Sequence, residues 1–551
     1  MRTTRQLRRM TVLIVTLASV GSACHVSAQQ LAKARVSGRV VSARDQHPLA
    51  HVKVALERQQ NGEPVATVNA GEDGSFVFED VPAGKFRLVG FAPGFVSSAY
   101  QEHEGYSTLI VTGAGVATEG LQLELTPGAS IAGRLTDETG EPLANGNLML
   151  YRETDFGAER VRRMRGQRTN DSGEYEFEDL PPGRYFLSAI AQPWYAVHPH
   201  VEPSTNVPYR AAIDPSLDVT YPQLFYPSSL DSNSAVPIAL KAGEQFTADM
   251  QLQPVHALTI TIRASAGERN GQRATYFPRL SHMVFGVEEP VPPVVETDSR
   301  GNQIIGGIAP GTYRVQEVQT SGVISRGLST AVQLTSESIS IDHSSPSPSS
   351  LVQIAMHTID RKPLPAGLQL QLTTANRPAA SAKADAQGSV TLKNVPEGDY
   401  QVRVSATTRA FPVVQLKTGG KEVPNKRLHV SESGEAVTVD LILASGAVNV
   451  EGVAQRDGKP AGGSMLALIP AGDDTSEELY RRYQSDLDGG FVFRSVIPGN
   501  YLLVAIDDGW GLRVTDAAAM QRYLLHAVPV SVPPTASGPM QLSTPVVTQP
   551  R

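Results

Sequence analysis

Residues 170–187 read NDSGEYEFEDLPPGRYFL, and the spacing inside this stretch recurs at four other places along the chain. A turn ends in glycine, a run of alternating residues follows, and a second glycine comes ten positions after the first. The first glycines are Gly74, Gly173, Gly301, Gly388 and Gly489, and the second are Gly84, Gly183, Gly311, Gly398 and Gly499. Two positions past each second glycine stands an aromatic residue: Phe86, Tyr185, Tyr313, Tyr400 or Tyr501. A repeat of this kind predicts an array of small domains that share one fold.

The residues between the paired glycines alternate with a period of two, as in Glu174-Tyr175-Glu176-Phe177, which indicates a strand with one buried face. Asp or Asn before the first glycine favours a tight turn, and the fixed aromatic is predicted to lie in the core. In four of the five units a proline turn, such as Asp137 to Leu143, follows an opening strand. About seven short strands per unit predict an all-β protein, a tandem array of about five small antiparallel β-sandwich domains, prealbumin-like or Ig-like.

These turn and aromatic motifs resemble the carboxypeptidase regulatory-like domain, a transthyretin-like sandwich related to the Cna B-type and carbohydrate-binding-like folds. The resemblance is strongest in the first two units and in the last, and weakest in the third. Because the shared motifs are turns and core aromatics, the resemblance implies a fold and no activity. The family's namesake is an accessory domain of metallocarboxypeptidases, and no peptidase domain is recognisable in this chain.

The turns and closing strands divide the chain into five units with short connections. The predicted segments are a signal peptide (1–28), sandwich 1 (35–127), sandwich 2 with a long aromatic loop (128–254), a divergent sandwich 3 (255–342), a Ser/Pro linker (343–350), sandwich 4 (351–445), sandwich 5 (446–545) and a mobile tail (546–551). Short connections restrict the angle between neighbours, so a fairly stiff rod is expected, with its joint at the Ser/Pro linker.

The N-terminus has the layout of a secretory signal: four arginines, an apolar run too short to span a bilayer, and small residues up to Ala28. Removal of residues 1–28 moves the net charge from −7 to −11, which argues against nucleic-acid partners. The single cysteine, Cys24, lies at this boundary. Because its lipoprotein cleavage box is imperfect, we expect Cys24 to be removed with the signal peptide rather than to carry a lipid anchor. We expect a secreted or periplasmic protein of the cell envelope, with no transmembrane segment in the mature chain.

Motifs that carry chemistry are missing from the sequence. It contains no HExxH zinc motif, no GxSxG elbow and no Walker loop, and the mature chain has no cysteine. His198 and His200 lie two apart but lack a clear third metal ligand, and the turn from Asp486 to Gly489 offers calcium few oxygens. The sequence therefore predicts no catalytic residue, no metal site and no cofactor.

Two surfaces of the second unit are candidate binding sites. The long segment carries Trp194, Tyr195, Tyr221 and Tyr226, which could stack on sugar rings or simply pin the segment to the sandwich. A nearby run holds Arg160, Arg162, Arg163, Arg165 and Arg168, a candidate site for an anionic glycan or lipid head group. The alternative is that these arginines only keep a hairpin soluble.

Three functions are compatible with these patterns. The leading hypothesis is a non-enzymatic binding or spacer protein of a bacterial envelope, with a polysaccharide or an envelope protein as partner. The first alternative is a carbohydrate-binding protein that uses the aromatic segment. The second alternative is an accessory subunit of an envelope hydrolase or transporter.

Overall fold

The fold consists of five consecutive β-sandwich units, each with its own buried apolar cluster. A computed structural model describes residues 34–551 with the exception of residues 60, 114–117, 155–159, 199–213, 264–275, 292–293, 298–300, 320–328, 343–349, 375–376, 396–397, 407–408, 424–425, 432–435, 445–447, 473–478 and 537. The expected signal peptide with Cys24, the core of the expected Ser/Pro linker, and His200 lie outside the described residues.

The first unit packs a four-stranded sheet, β4-β1-β9-β6, on a sheet in which β5 is flanked by β2, β7 and β8, with β3 at the edge. Its strands β1 to β9 are Ala34–Ser42, Lys53–Arg58, Pro64–Asn69, Ser75–Val81, Gly84–Phe91, Phe95–Val96, Ser98–Ala99, Ile110–Thr112 and Leu121–Pro127. Most strand pairs are antiparallel, but β1 and β9 pair in parallel. The intervening strands form the long crossover that a parallel pair requires.

The second unit repeats this plan, with sheets β13-β10-β18 and β12-β11-β14-β16. Its strands β10 to β20 are Ala129–Thr136, Asn147–Glu153, Val161–Arg168, Glu174–Leu180, Gly183–Ile190, Val219–Thr220, Leu224–Phe225, Ile238–Leu240, Gln245–Thr247, Met250–Gln251 and Val255–His256. Two short 3-10 helices, Pro215–Leu217 and Ser232–Ser234, lie in the long segment between β14 and β17. Strand β12 is the outer strand of its sheet.

The third and fourth units follow the same order of strands. Strands β21 to β28 of the third unit are Leu258–Arg263, Tyr276–Val284, Val287–Val291, Val294–Thr297, Gln303–Ile308, Gly311–Gln319, Ser329–Leu334 and Ile339–Asp342. Strands β29 to β38 of the fourth are Ser350–Thr358, Gln369–Thr374, Arg377–Lys383, Ser389–Val395, Gly398–Ala406, Arg409–Ala410, Val413–Thr418, Lys421–Glu422, Arg427–Val430 and Val437–Leu443.

The fifth unit differs from the other units in two ways: its last strand joins its two sheets, and it contains the single α-helix among the described residues. Strands β39 to β47 are Val448–Arg456, Lys459–Pro460, Met465–Pro470, Arg481–Gln484, Gly490–Val496, Gly499–Ile506, Val528–Val532, Met540–Gln541 and Val546–Gln549. Helix α1, Ala517–Leu524, begins at Asp516, whose carboxylate accepts the first free N–H groups. The expectation of a mobile tail at 546–551 was wrong, because β47 pairs with both β39 and β44 and joins the two sheets.

Two backbone devices recur at the glycine motif. Gly173 has a φ of +73°, and a Cβ there would lie 2.6 Å from the Leu135 carbonyl oxygen. The Leu135 N–H donates to the Gly173 carbonyl oxygen at 2.8 Å. Equivalent bonds join Val40 to Gly74, Met356 to Gly388 and Ala454 to Gly489. Only glycine combines this left-handed conformation with this close approach, so the motif holds the turn against the opening strand.

The fixed aromatics are buried, and the hydroxyl groups of three of the tyrosines close the Pro-Gly turn. The hydroxyl of Tyr185 donates to the carbonyl oxygen four residues earlier at 2.5 Å. The hydroxyls of Tyr313 and Tyr501 make the same contact at 2.9 and 2.6 Å. The aromatic ring therefore fills the core while its polar end satisfies a turn carbonyl.

The second and third units meet through an aromatic plug. Phe285 lies at the turn between β22 and β23, and its ring lies 4.8 Å from the ring of Phe186, 5.1 Å from Tyr151 and 5.6 Å from Phe225. The hydroxyl of Tyr151 also donates to Glu289 at 3.0 Å. Rings at these distances pack favourably beyond the area they bury, so this contact couples the two units.

The first unit also contacts the fifth, although three units separate them in sequence. A backbone hydrogen bond of 3.0 Å runs from the Leu487 N–H to the Leu109 carbonyl oxygen, and Leu487 packs on the core of the first unit. The expected extended rod is therefore wrong: the chain returns on itself and brings its two terminal units together.

Candidate functional site

The four predicted aromatics of the second unit do not form one exposed platform. Trp194 is 85% exposed, and its ring lies edge-on to Tyr195 at 5.7 Å. Tyr221, by contrast, is 4% exposed and belongs to the sandwich core, and Tyr226 packs on that core beside Phe246. The long segment needs apolar anchors to stay on the sandwich, and Tyr221 and Tyr226 serve as those anchors. Only Trp194 presents a free ring face.

Glu138 organises the polar side of this segment. Its two carboxylate oxygens accept hydrogen bonds from the hydroxyls of Tyr195 at 2.5 Å and Tyr221 at 2.6 Å. Burial alone would raise the pKa of Glu138, but the two tyrosine hydrogen bonds hold it below its usual value. Burial and the adjacent carboxylate raise the pKa of Tyr195 to about 12. Both tyrosines thus remain protonated donors that fasten the segment.

The predicted arginines lie on or beside the outer strand β12, where Arg162, Arg163, Arg165 and Arg168 are exposed, as is the preceding Arg160. The contacts of three of them are with neutral groups. Arg163 Nε lies 3.1 Å from Met149 Sδ, and Arg168 Nε lies 3.3 Å from Asn147 Oδ1. Arg165 donates to a backbone carbonyl oxygen of the neighbouring β13.

The structure offers no support for a metal site at His198 in the described residues. Its Nδ1 lies 2.9 Å from Asp218 Oδ1, so the ring is engaged with that carboxylate. The described residues include no group of three His, Cys, Asp or Glu side chains that could hold a metal. His200 lies outside them.

A cluster of charged side chains lies between the first and fifth units and was not predicted. Lys85 Nζ, on β5, lies 2.7 Å from Asp486 Oδ2 and 3.1 Å from Asp488 Oδ1. Burial raises the pKa of Asp486 to about 6, against the opposing pull of Lys85. Burial would lower the pKa of Lys85, but the two carboxylates raise it above its usual value. The two acids that suggested a weak calcium turn instead bind a lysine of another unit.

Arg482, on β42, forms the second part of the cluster. Its side chain is 2% exposed, and it donates to Glu104 of the first unit at 2.6 Å. The guanidinium lies 5.6 Å from the ring centres of both Tyr106 and Trp510. The Trp510 ring also stacks on His103 at 5.3 Å with an angle of 2° between the planes. Buried Trp, Tyr and Arg side chains are those that dominate the energy of protein interfaces.

Gln484 completes the contact, since its amide nitrogen donates to the Gln101 carbonyl oxygen at 2.5 Å and to Thr108 Oγ1 at 2.8 Å. We call this set of contacts the terminal interface; its members are Lys85, Gln101, His103, Glu104, Tyr106, Thr108 and Leu109 of the first unit and Arg482, Gln484, Asp486, Leu487, Asp488 and Trp510 of the fifth. Its carboxylates are paired or hydrogen-bonded and its aromatics are stacked. The arrangement is suited to holding two domains together.

One signal in the sequence was available but was missed. The turn before the first glycine of each motif carries Glu72, Asp171, Ser299 or Ala386 at the position where the fifth unit carries Leu487. A large apolar residue at an exposed turn indicates a covered surface. Trp510 and the helix that follows it are the other additions peculiar to this unit.

Comparison with protein families identifies two units. Residues 35–126 and 130–213 match the sequence model of the carboxypeptidase regulatory-like domain. The first two units are therefore carboxypeptidase regulatory-like domains, and the resemblance predicted from the turn and aromatic motifs is confirmed for them. No curated protein matches the chain.

Solved structures similar to this chain have low sequence identity to it. The Bacillus anthracis TIE protein is 14% identical over 76% of each chain, with a TM-score of 0.18. The minor pilin GBS52 of Streptococcus agalactiae is 10% identical over 40% of this chain and 96% of its own, with a TM-score of 0.20. A streptococcal ancillary pilin is 11% identical over 54% of this chain and 100% of its own, with a TM-score of 0.19. Scores this low support no inference about function.

Proposed function

We propose that this chain is a non-enzymatic, multidomain binding and spacer protein of a bacterial envelope. The observation that carries the proposal is the terminal interface, in which the buried Asp486 and Arg482 pair with Lys85 and Glu104 of another unit. Its charges stabilise an arrangement of domains. A protein that uses its buried charges in this way is organised as a scaffold.

The ionisable groups with shifted pKa values support a structural role. Asp486 is paired with Lys85 at 2.7 Å, and Glu138 is bound by two tyrosine hydroxyls. A catalytic acid or base needs a free face toward a substrate, and these carboxylates use their oxygens in contacts within the protein.

Export to the envelope is inferred from the N-terminal sequence. Arginines followed by a short apolar run and small residues up to Ala28 form the layout of a secretory signal. Among the described residues, no helix is long and apolar enough to cross a bilayer. The signal layout suits a protein that is exported and acts outside the cytoplasm.

The spacer role now has a different geometry from the one the short linkers suggested. A chain whose first and fifth units touch does not separate its ends by five domain lengths. It forms a compact frame, and its exposed edges and loops are available to partners. The proposed partner is an envelope protein.

Glycan binding is a second candidate, favoured by the free ring of Trp194. An exposed tryptophan beside hydrogen-bonding groups can stack on a sugar face. Polysaccharide binding would require Trp194 and would leave the buried Tyr221 in its structural role.

The proposal is tested by capture from an envelope extract together with an activity screen. The mature protein, residues 29–551, is immobilised, and retained proteins are identified by mass spectrometry, with a charge-matched unrelated β-sandwich protein as control. Specific retention of an envelope protein supports the proposal. Catalytic turnover of peptides, esters or glycosides by the purified protein contradicts it.

A further inference from the structure

We propose that β12 is a binding edge for an extended acidic segment of a partner protein, which adds beside it as a further strand. This inference rests on the proposed function, since it assigns a surface and a partner chemistry to the binding protein. Three observations carry it: an open sheet edge, a set of arginines that have no acidic partner among the described residues, and an equivalent strand in the fifth unit whose side chain contacts an acidic residue.

Strand β12 is the outermost strand of its sheet and pairs only with β11 among the described residues. The backbone N–H and C=O groups on its other side have no strand partner. Seven of its eight residues, Arg162 to Arg168, are exposed. An open edge of this length is a template for another strand, because backbone hydrogen bonds supply affinity whatever the sequence of the incoming segment.

The arginines of β12 lack the acidic partners that arginines have elsewhere in this protein. Arg35, for example, bonds to two glutamates, and Arg87 bonds to Glu102. None of Arg162, Arg163, Arg165 and Arg168 pairs with a carboxylate among the described residues. In a chain whose net charge is −7, this is a strip of exposed positive charge. It attracts acidic ligands and repels basic ones.

The pairing of β12 with β11 also places two positive charges opposite each other within the sheet. Arg162 stands directly opposite Arg152 of β11. Like charges in such a pair destabilise a sheet. A carboxylate on a strand added outside β12 would lie next to Arg162 and turn the repulsion into attraction.

The geometry favours a peptide strand over a polysaccharide. A bulge between Leu150 and Tyr151 places Arg165 opposite Leu150, which faces the core, and Arg163 opposite Tyr151, which faces the third unit. The arginines therefore flank the edge on both faces of the sheet. A strand with alternating side chains meets both faces at once, whereas a sugar chain lying on the surface meets one.

The equivalent edge strand of the fifth unit contacts an acidic residue of another unit through a side chain. Gln484 of β42 pairs with Met465, and Arg168 of β12 pairs with Asn147 at the same position of its unit, so the two edge strands are equivalent. Strand β42 places Arg482, which in this register corresponds to Gly166 of β12, against Glu104 of the first unit. In the second unit no described residue fills the corresponding place.

The test uses a capped ten-residue peptide of alternating Glu and Thr, labelled with a fluorophore, and the whole mature protein. We expect saturable binding and slower hydrogen exchange of the β12 amides in the complex. The double variant Arg163→Glu, Arg165→Glu should weaken binding by roughly tenfold or more, because two attractions become repulsions. The charge-preserving variant Arg163→Lys, Arg165→Lys should stay within about threefold.

The matched control is Arg39→Glu with Arg44→Glu, which makes the same change in net charge on the first unit and should leave binding unchanged. A galacturonate oligosaccharide is the second probe. The inference is overturned if the peptide does not saturate, if the control weakens binding equally, or if only the oligosaccharide binds and the β12 amides exchange as before. Envelope capture that persists in such a case would leave the proposed function standing.

Discussion

Replacement of Lys85 by alanine should loosen the terminal interface without unfolding either unit. Lys85 lies on β5 with its side chain 39% exposed, whereas Asp486, its partner at 2.7 Å, is buried. Removal of the lysine leaves the Asp486 carboxyl group in a closed site, with the Tyr483 hydroxyl at 3.3 Å as a hydrogen-bond donor and Asp488, a like charge, nearby. The group must then either stay ionised without a cationic partner or take up a proton.

The cost through Asp486 can be bounded from its pKa. With Lys85 present, burial raises that pKa to about 6, so at pH 7 ionisation is favoured by about 1.4 kcal/mol. Without the lysine the pKa rises further, because the positive charge that lowers it is gone, and up to that amount is lost. Loss of the partly exposed pair with Asp488 adds up to about 1 kcal/mol. The interface should therefore weaken by up to about 2.4 kcal/mol, or up to roughly 50-fold.

The effect should depend on pH in a defined direction. The pKa of Asp486 is raised from 3.8 to about 6 when the interface is closed, so the closed form binds the proton more tightly. Its contribution to closure is complete below the unperturbed pKa and is lost as pH rises through about 6. In the variant this loss continues to higher pH. The two proteins should differ most at pH 7, and the difference should shrink at pH 5.

The assay is hydrogen exchange at the Leu487 amide, whose bond to the Leu109 carbonyl oxygen exists only while the interface is closed. Its protection factor should fall by the ratio above, while the Leu135 amide of the second unit keeps its protection. Lys53→Ala, an exposed change on the neighbouring β2, is the matched control. Equal protection of Leu487 in wild type and variant at pH 7 would refute the reasoning.

Three further outcomes follow from the units themselves. Tyr185→Ala should destabilise the second unit by about 3–5 kcal/mol, because it empties a core position. Tyr185→Phe should cost about 1 kcal/mol, because it removes the hydrogen bond to the turn. Differential scanning calorimetry should show both shifts in one transition only. Gly173→Ala should cost more than about 1 kcal/mol, because its Cβ would collide with the Leu135 carbonyl oxygen at a left-handed φ, and denaturant unfolding measures the change. Trp194→Ala should leave the melting temperature unchanged, since the ring is exposed. It should also abolish any fluorescence response to charged or neutral glycans, with Trp510 as the remaining reporter. A response that persists in the variant would exclude glycan binding at Trp194.

The β-sandwich units followed from the sequence because their determinants are local. A glycine such as Gly173 is required by a turn a few residues long, and Tyr185 closes its own turn. These constraints repeat with fixed spacing and can be read without knowledge of the tertiary contacts. The parallel pairing of first and last strands in each unit has no such local mark.

The candidate sites were harder to predict, because exposure is a property of the folded chain. Trp194 and Tyr221 are both aromatics of one proline-rich segment, yet one is free and the other is buried. The terminal interface joins residues about 400 positions apart, such as Lys85 and Asp486. Only Leu487, an apolar residue at a turn position that is polar or small elsewhere, indicated in advance that the fifth unit is covered there.

The return of the fifth unit to the first is tested most directly by small-angle X-ray scattering of the mature protein, which measures the radius of gyration. Five units of roughly 35 Å in a straight rod would have a radius of gyration of roughly 50 Å, from strand lengths of about eight residues plus turns. The closed arrangement predicts about 30 Å, since the same units then surround a common centre. A value near 30 Å at neutral pH that increases in Lys85→Ala would support the terminal interface. A value near 50 Å for the wild type would contradict it.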